Sequence, residues 1–360
     1  MTQNSTVIPF GPQHPVLPEP LHLKLVVEDE IVKSAVPTLG YIHRGLEGLA
    51  AIKDFNQMIY VVERVCGICS CIHALCYCHA IEKLMNVEVP PRAQYLRIIW
   101  SELHRMHSHL LWLGLFAEGF GFESLFMQFW RIRERVMDLN EATAGNRVII
   151  SVNIAGGVRR DISAEHLAWI DREMKDVSIE LKQLTSTILS DYTVKQRTVG
   201  KGVLSKEDAY LLGAVGPTLR GSGWAIDARQ LKYEAFQDID FEAVVEHDGD
   251  SYARAKVRFL EVLQSADIVR QCIARIPGGE LASKVTGKPE GEIVTRVEQP
   301  RGELFYYVRC NGTKFPERVR IRTPTFANIP PLLHMLPNCE VADVPVIALS
   351  IDPCISCTER

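Results

Sequence analysis

The 360-residue sequence lacks any run of 18 or more apolar residues, the length that a helix needs to cross a lipid bilayer. Its longest apolar stretches, such as 110–116, are soon interrupted by Glu118 and Gly119. Residues 1–10 begin with polar residues and contain no basic residue, so they do not resemble a secretory signal. We therefore predict no membrane-spanning helix, and we expect a reducing, cytoplasmic environment.

Strong positive charge is also absent. The formal net charge is −4 at pH 7, so no basic surface field is available to hold a nucleic acid. Disordered chains combine low hydrophobicity with high net charge, whereas 47% of these residues are hydrophobic and 23% are charged. The chain can therefore bury a large core, and we expect no nucleic-acid partner.

Cysteine is too dilute for a small disulfide scaffold, because only 10 of the 360 residues are cysteines. Their distribution is uneven: five lie between Cys66 and Cys78, and two more are Cys354 and Cys357. Clustered cysteines in a reducing compartment are typical of metal sites. The pattern therefore indicates metal chemistry rather than disulfide bonds.

Hydrophobic periodicity predicts a mainly α-helical protein with small β elements, which is an α+β fold. Long helices are predicted at 91–119, 123–144, 163–189 and 250–276. Alternating residues predict a β-hairpin within 21–36, ahead of these helices. The expected architecture is a bundle of long helices with a β-hairpin before it and a β segment after it.

The last eighty residues change from helical to alternating patterns. Strands are predicted at 292–298, 303–310 and 316–322, and at 344–351, where a short apolar run predicts a buried strand. We expect one domain over 1–360. It comprises an N-terminal β segment at 1–40, a helical body at 41–280 and a C-terminal α+β segment at 281–360.

Two Cys-X-X-Cys motifs stand far apart in the sequence. Cys66 and Cys69 enclose Gly67, which permits a tight turn, and Cys354 and Cys357 form the second motif. Cysteines three residues apart can direct both sulfurs at one metal. A redox site for a soft metal, a structural zinc site and two unrelated pairs of buried thiols all fit this pattern. We favour the redox metal, because a chain with an ample core does not need zinc to fold.

The residues around these motifs resemble those of nickel–iron hydrogenase large subunits. The resemblance rests on 64–73 and 350–360, together with 11–15 and 44–47, and it extends over nearly the whole chain. It is strongest for the energy-converting, membrane-bound (Ech-type) branch, which is related to the 49-kDa subunit of respiratory complex I. The complex I relatives have lost the cysteine pairs. All four cysteines are present here, which favours a hydrogenase.

The resemblance implies a nickel–iron centre. Carried over from the family, Cys66 and Cys354 are terminal nickel ligands, while Cys69 and Cys357 bridge nickel and iron. The iron would carry one carbonyl and two cyanide ligands. His73, four residues after Cys69, matches a histidine that hydrogen-bonds a bridging sulfur.

Further residues match positions around that centre. Arg301, after Pro300, matches an arginine that lies over the metals, although the pattern alone would place it in an exposed turn. Thr325, after Pro324, matches a hydroxyl that donates to a cyanide. Arg64 either adds positive charge near the site or pairs with its acidic neighbour at the surface.

Two carboxylates match positions for a proton path and for a second metal. Glu19, held between Pro18 and Pro20, matches the glutamate that gates protons in the membrane-bound branch; its alternative is a solvated loop carboxylate. Glu47 matches a ligand to magnesium or iron, whose partner in other hydrogenases is a histidine. Arg360 stands at that histidine's position, and a guanidinium cannot coordinate a cation. Two alternatives follow for Glu47. Either it binds a metal together with the terminal carboxylate, which would replace the histidine as ligand, or it pairs with an arginine.

Other cysteines and histidines match no ligand position. Cys71, Cys76 and Cys78 are predicted to be buried thiols, with an additional iron–sulfur cluster as the alternative. His104 and His107 lie three residues apart on a predicted helix. We expect them to pack and to form hydrogen bonds rather than to bind a metal.

As a whole, the resemblance implies a catalytic subunit that reversibly reduces protons to H2. Its expected partners are a small subunit with a 4Fe-4S cluster, a ferredoxin-like iron–sulfur subunit and integral membrane subunits that translocate ions. It would be peripheral, on the cytoplasmic side of the cell membrane, with ferredoxin as electron partner. The alternatives are a carbon-monoxide-linked or formate-linked hydrogenase, a non-catalytic quinone-module subunit like that of complex I, and a zinc-stabilised binding protein.

Overall fold

Long helices occupy the middle of the chain in the computed structural model, which describes residues 5–360. The helices in that part are α1 (Phe55–Glu63), α2 (Ser70–Leu84), α3 (Pro91–Glu118), α4 (Glu123–Ala144), α5 (Ala164–Ser190), α6 (Tyr192–Thr198), α7 (Lys206–Leu211), α8 (Pro217–Arg220), α9 (Ser251–Arg275), α10 (Pro324–Met335), α11 (Val344–Ser350) and α12 (Ile355–Glu359). The four longest, α3, α4, α5 and α9, coincide with the four predicted helices. The predicted α+β fold is confirmed.

Small antiparallel sheets lie before and after the helical body. The strands are β1 (Thr6–Phe10), β2 (His22–Glu28), β3 (Ile31–Thr38), β4 (Asn153–Ile154), β5 (Gly157–Val158), β6 (Glu290–Gln299), β7 (Gly302–Asn311) and β8 (Pro316–Arg322). The sheet orders are β1-β2-β3, β4-β5 and β6-β7-β8. The predicted hairpin is β2-β3, and the three predicted C-terminal strands are β6, β7 and β8. Strand β1, which contains Pro9, lies at a sheet edge, where a missing N–H is tolerated.

The main core forms where α3 packs against α4 and α9, and α5 packs against α9 and α4. Helix α3 is 28 residues long and buried over most of its length. Two of the long helices, α5 and α9, begin at side-chain caps: Ser163 accepts the N–H of His166 at 3.2 Å, and Asp250 accepts that of Ala253 at 2.8 Å. None of the described helices is both long enough and apolar enough to span a membrane. The division into one domain stays a prediction.

The strand predicted at 344–351 is wrong, because the structure has helix α11 there. A short, fully apolar run fits a buried strand and a buried helical turn equally well, since neither shows a periodic polar face. Pro345 lies in the first turn of α11, where a missing N–H costs nothing. Near the end of the helix, the Leu349 carbonyl accepts a hydrogen bond from the Trp112 indole N–H at 2.7 Å. The chain then turns through Asp352 into the second cysteine motif.

Candidate metal centre

The two Cys-X-X-Cys motifs meet inside the protein. Cys66 Sγ lies 3.5 Å from Cys354 Sγ, and Cys69 Sγ lies 3.8 Å from Cys357 Sγ. All four side chains are 1% exposed or less. Residues from opposite ends of the sequence therefore form one buried cluster of four sulfurs.

Each motif closes on itself through a backbone hydrogen bond to sulfur. The Cys69 N–H donates to Cys66 Sγ at 3.4 Å, and the Cys357 N–H donates to Cys354 Sγ at 3.4 Å. Cys69 precedes α2 and Cys354 precedes α12, so both motifs lie where unpaired helical N–H groups point. Such donors favour thiolates. The two motifs thus present their sulfurs in the same way.

The thiols cannot all ionise on their own. Burial raises the pKa of Cys69, but hydrogen bonds with Cys357 and Cys66 outweigh it and lower the pKa to about 6. The hydrogen bond with Cys357 lowers the pKa of Cys354, whereas that with Cys66, together with burial, raises it to about 11. A bound metal ion resolves this conflict, because it deprotonates coordinating thiols outright.

The donor set fits the nickel–iron group that the resemblance implies. The sulfurs of Cys66, Cys69 and Cys357 lie within 4.8 Å of one another, and Cys354 Sγ is in contact with Cys66. Over residues 5–360, these three form the only such group of potential metal ligands. Four buried sulfurs select soft metals such as nickel, iron and zinc.

His73 and Tyr306 stand next to the cluster. His73, on α2, has Nε2 3.6 Å from Cys357 Sγ and Nδ1 2.8 Å from the Tyr306 hydroxyl. Burial lowers the pKa of His73 to about 3, so the ring is neutral. If Tyr306 donates to Nδ1, the ring proton sits on Nε2 and faces the sulfur; the other tautomer would set a nitrogen lone pair against it. Sequence reasoning missed Tyr306, whose inward position in the alternation of β7 was its only signal.

Arg301 lies at the tip of the β6-β7 hairpin, in the two-residue loop Pro300-Arg301. It is 3% exposed rather than in an exposed turn. The guanidinium donates from Nε to the Asp352 carbonyl at 3.0 Å, pairs with Asp352 Oδ1 at 2.9 Å and lies 3.4 Å from Ser108 Oγ. Burial opposes its charge, but Asp352 and Cys354 hold the pKa of Arg301 well above its usual value. A fixed positive charge therefore stands beside the sulfurs.

The hairpin tip reaches this position because Gly216 lets the two backbones touch. A Cβ atom on Gly216 would lie 2.3 Å from the Arg301 carbonyl oxygen. The φ of Gly216 is +64°, which also favours glycine. Any larger residue at this position would push Arg301 away from the sulfurs.

The start of α10 supports the second motif. Pro324 is the first residue of α10, and the buried Thr325 hydroxyl accepts the Cys354 N–H at 3.2 Å. The Thr323 hydroxyl donates to the Cys357 carbonyl at 3.0 Å. The structure thus brings Thr325 to the cluster, as the resemblance implies.

Glu19 also reaches the second motif, from the loop between β1 and β2. Its Oε1 is 4.0 Å from Cys354 Sγ and accepts the Ser356 hydroxyl at 2.5 Å, while Oε2 accepts the Ser356 N–H at 2.7 Å. Burial, with Cys354 nearby, raises the pKa of Glu19 to about 7. The side chain is held at the cluster and is not a solvated loop carboxylate.

Arg44 connects the two motifs, and sequence reasoning missed it. Its guanidinium donates to the carbonyls of Arg64 and Val65, at 2.7 and 2.8 Å, and to that of Ser356, at 3.2 Å. These carbonyls come just before Cys66 and Cys357. Within the segment 44–47, the sequence indicates a role only for Glu47. Arg44, the first residue of the segment, holds the loops of both motifs by hydrogen bonds.

Arg64 and Glu47 both pair with oppositely charged side chains in the structure. Arg64 donates to the Tyr60 carbonyl at 2.8 Å and lies 3.6 Å from Glu63, with half of its side chain exposed. Glu47 Oε1 accepts from Arg360 Nε at 3.0 Å. Both residues are therefore engaged in ion pairs.

The remaining cysteines and histidines are engaged in packing and hydrogen bonds. Cys71, Cys76 and Cys78 are buried thiols, and burial raises the pKa of Cys71 and Cys76 to about 12. His104 Nε2 is 3.0 Å from the Val148 carbonyl, and His107 Nε2 is 2.8 Å from that of Ile68. His107 therefore steadies the loop between Cys66 and Cys69.

Two protein families match the sequence. The family described as "Respiratory-chain NADH dehydrogenase, 49 Kd subunit" matches residues 120–287 and 280–360, and the family described as "Nickel-dependent hydrogenase" matches residues 44–115. The first match includes the second cysteine motif, and the second includes the first motif. The two matches place the chain in a class that joins the complex I subunit to the nickel-dependent hydrogenases, and the four-cysteine cluster is the feature expected of the hydrogenases.

Similar proteins cover the whole chain. The carbon monoxide-induced hydrogenase of Rhodospirillum rubrum is 41% identical over 98% of this chain and 99% of its own length. The membrane-bound hydrogenase subunit alpha of Pyrococcus furiosus is 38% identical over 98% of this chain and 87% of its own. A chain of the membrane-bound sulfane sulfur reductase, an archaeal respiratory membrane complex, superimposes with a TM-score of 0.95, at 30% identity and full coverage of both chains.

The chain belongs to the family of large subunits of membrane-bound nickel–iron hydrogenases, which is related to the 49-kDa subunit of complex I.

Proposed function

We propose that the protein is the catalytic subunit of a membrane-bound nickel–iron hydrogenase that reversibly reduces protons to H2. The observation that carries this proposal is the buried cluster of Cys66, Cys69, Cys354 and Cys357. A quinone-module subunit has no use for four converging thiols. The cluster is also out of place for a structural zinc site, since it joins the two ends of a chain that already has a large core.

The four cysteines would hold nickel and iron, which supply the two-electron chemistry of H2 when bound. Cys69 and Cys357, the facing pair at 3.8 Å, are the proposed bridging ligands. Cys66 and Cys354 are the proposed terminal ligands. The carbonyl and the two cyanides on iron are part of the same proposal, with Thr325 as a hydrogen-bond partner.

The residues around the cluster would stabilise negative charge on the sulfurs and accept a proton from them. With Tyr306 donating to Nδ1, His73 would donate from Nε2 to Cys357 Sγ and stabilise negative charge on it. Arg301, fixed by Asp352, places a permanent positive charge over the sulfurs in a site that excludes water. Proton transfer would run from Cys354 Sγ to Glu19 Oε1, a step of 4.0 Å along which the carboxylate is already aligned by Ser356.

The proposed partners follow from the relatives. The names of the Pyrococcus furiosus and sulfane sulfur reductase relatives place those proteins in membrane complexes. We propose that this chain likewise joins a 4Fe-4S small subunit, a ferredoxin-like subunit and integral membrane subunits, on the cytoplasmic side of the membrane. Ferredoxin is the proposed electron partner. A carbon-monoxide-linked complex is the second candidate, favoured by the 41% identity to the Rhodospirillum rubrum protein.

The test is infrared spectroscopy of the purified, matured complex, with metal analysis of the same sample. We expect bands of metal-bound carbonyl and cyanide and about one nickel for each copy of this chain. Zinc without nickel would support a structural zinc site. Neither metal, with no such bands, would support a quinone-module subunit, and either result would refute the proposal.

Replacing Tyr306 with phenylalanine should slow H2 turnover about 10- to 100-fold, the usual cost of losing a group that orients a metal-site residue. The change keeps the ring but removes the hydroxyl that holds His73 Nδ1. Cyanide and carbonyl bands should shift at unchanged nickel content. The matched control is Tyr307→Phe, because Tyr307 points to the other face of β7 and bonds Glu292 at 2.5 Å. Equal turnover in the two variants would contradict a role for Tyr306.

A further inference from the structure

Glu47 and Arg360 meet at the position where the resemblance implies a second metal. We propose that this protein holds no divalent cation there, and that the Arg360 guanidinium takes the cation's place in a latch between residues 40–47 and 359–360. The latch consists of Glu47, Glu359, Arg360 and the backbone that they bind. It fastens the segment after Cys357 to the loop that carries Arg44.

Both oxygens of Glu47 contact positive or hydrogen-bonding groups. Its Oε1 accepts both Arg360 Nε, at 3.0 Å, and the Ile321 N–H, at 2.9 Å. Its Oε2 lies 3.6 Å from Arg320 NH1. Arg360 is also anchored from its other side, because it donates to the Thr358 carbonyl at 2.9 Å and lies over the Phe326 ring. These contacts use the oxygens that a metal would need.

Glu359 also connects residues 359–360 to residues 40–47. Its carboxylate accepts the N–H groups of Gly40, at 2.6 Å, and of Ile42, at 2.5 Å. The His43 ring contacts the Glu359 backbone carbonyl. The Glu359 carboxylate is therefore occupied by backbone donors.

The surrounding charge also opposes a divalent cation. Arg318 and Arg360 line a cavity of about 500 Å³ at this place, together with Glu47 and Glu359, and Arg320 NH1 lies 3.6 Å from Glu47 Oε2. Three guanidinium groups thus lie at or beside this cavity, against the two carboxylates of Glu47 and Glu359. In residues 5–360, no set of three metal-ligating side chains other than the cysteine cluster is close enough to bind one ion. Mg²⁺ in proteins is usually held by one or two carboxylates and several waters. Here Glu47 Oε1 accepts from Arg360 and the Ile321 N–H, and both Glu359 oxygens accept backbone N–H groups, so the residues present do not fit it.

The latch stands independently of the proposed function, since none of its contacts involves nickel or iron. If the infrared bands are absent but the latch results below hold, the hydrogenase proposal alone fails. If the bands are present and the latch results fail, only this inference is lost.

Manganese binding tests the absence of the cation. Mn²⁺, which replaces Mg²⁺ in oxygen sites, is titrated into the purified complex and counted by electron paramagnetic resonance. We expect wild type and Glu47→Gln to bind the same number of Mn²⁺ ions. A Mn²⁺ ion that the wild type binds and Glu47→Gln loses would overturn the inference.

Hydrogen exchange of the same complex tests the guanidinium. Arg360→Ala should speed exchange of the Gly40, Ile42 and Ile321 amides about tenfold, because a hydrogen bond to a charged group contributes about that much. The control is Arg309→Ala, which removes an exposed ion pair to Glu317 on β8 and should leave these amides unchanged. Unchanged exchange in Arg360→Ala would show that the guanidinium does not hold the latch.

Discussion

Replacing Cys357 with alanine should abolish H2 turnover in the purified complex. Its sulfur faces Cys69 Sγ at 3.8 Å and lies 3.6 Å from His73 Nε2. The variant loses a proposed bridging ligand and the group that His73 stabilises. Losing a residue that only orients a ligand costs about 10- to 100-fold, so losing the ligand itself should cost at least about 100-fold.

Metal content separates a lost ligand from a damaged fold. Nickel in Cys357→Ala should fall with the activity, while the circular dichroism of the helical body stays unchanged. The control is Cys272→Ala, which removes an equally buried thiol from α9 in the main core. It should keep both nickel and turnover. Wild-type turnover in Cys357→Ala would refute the ligand assignment.

The long elements could be predicted because their signals repeat. Helix α3 has 28 residues and strands β6 and β7 have 10 each, so several periods confirm one another. Helix α11 has seven residues, all apolar or buried, and offers no periodic contrast. Helix α10 contains Pro330 and Pro331, which argue against a helix in the sequence. These short elements are determined by the core around them rather than by their own pattern.

The cysteine cluster could be predicted only as two motifs. Spacing within a motif is local, whereas the 3.5 Å contact of Cys66 with Cys354 depends on the whole fold. Resemblance supplied His73, Arg301 and Glu19, and the structure brings all three to the sulfurs. It did not supply the residues that hold them: Tyr306 holds His73, and Arg44 holds both motif loops. A single tyrosine or arginine in a sequence carries no sign of such a role.

Glu19 provides the second large effect. Replacing it with glutamine should lower H2 turnover by about 10² to 10⁴, the usual contribution of a group that transfers protons. Glutamine keeps the shape of the side chain and one acceptor oxygen. Because the Ser356 hydroxyl can accept as well as donate, the amide can still bond it, and the loop between β1 and β2 should stay in place. What is lost is the exchangeable carboxyl proton, 4.0 Å from Cys354 Sγ.

The spectroscopic and kinetic readouts should therefore separate in Glu19→Gln. Nickel content and the number of infrared bands should match the wild type, because no ligand is changed, while turnover falls. The control is Glu63→Gln: Glu63 is also buried and accepts a hydroxyl, that of Ser151 at 2.6 Å, but it touches none of the four sulfurs. It should keep the turnover of the wild type, because it lies outside the cluster. Loss of nickel from Glu19→Gln would make Glu19 a structural residue of the cluster, and full turnover would move the proton path to another group.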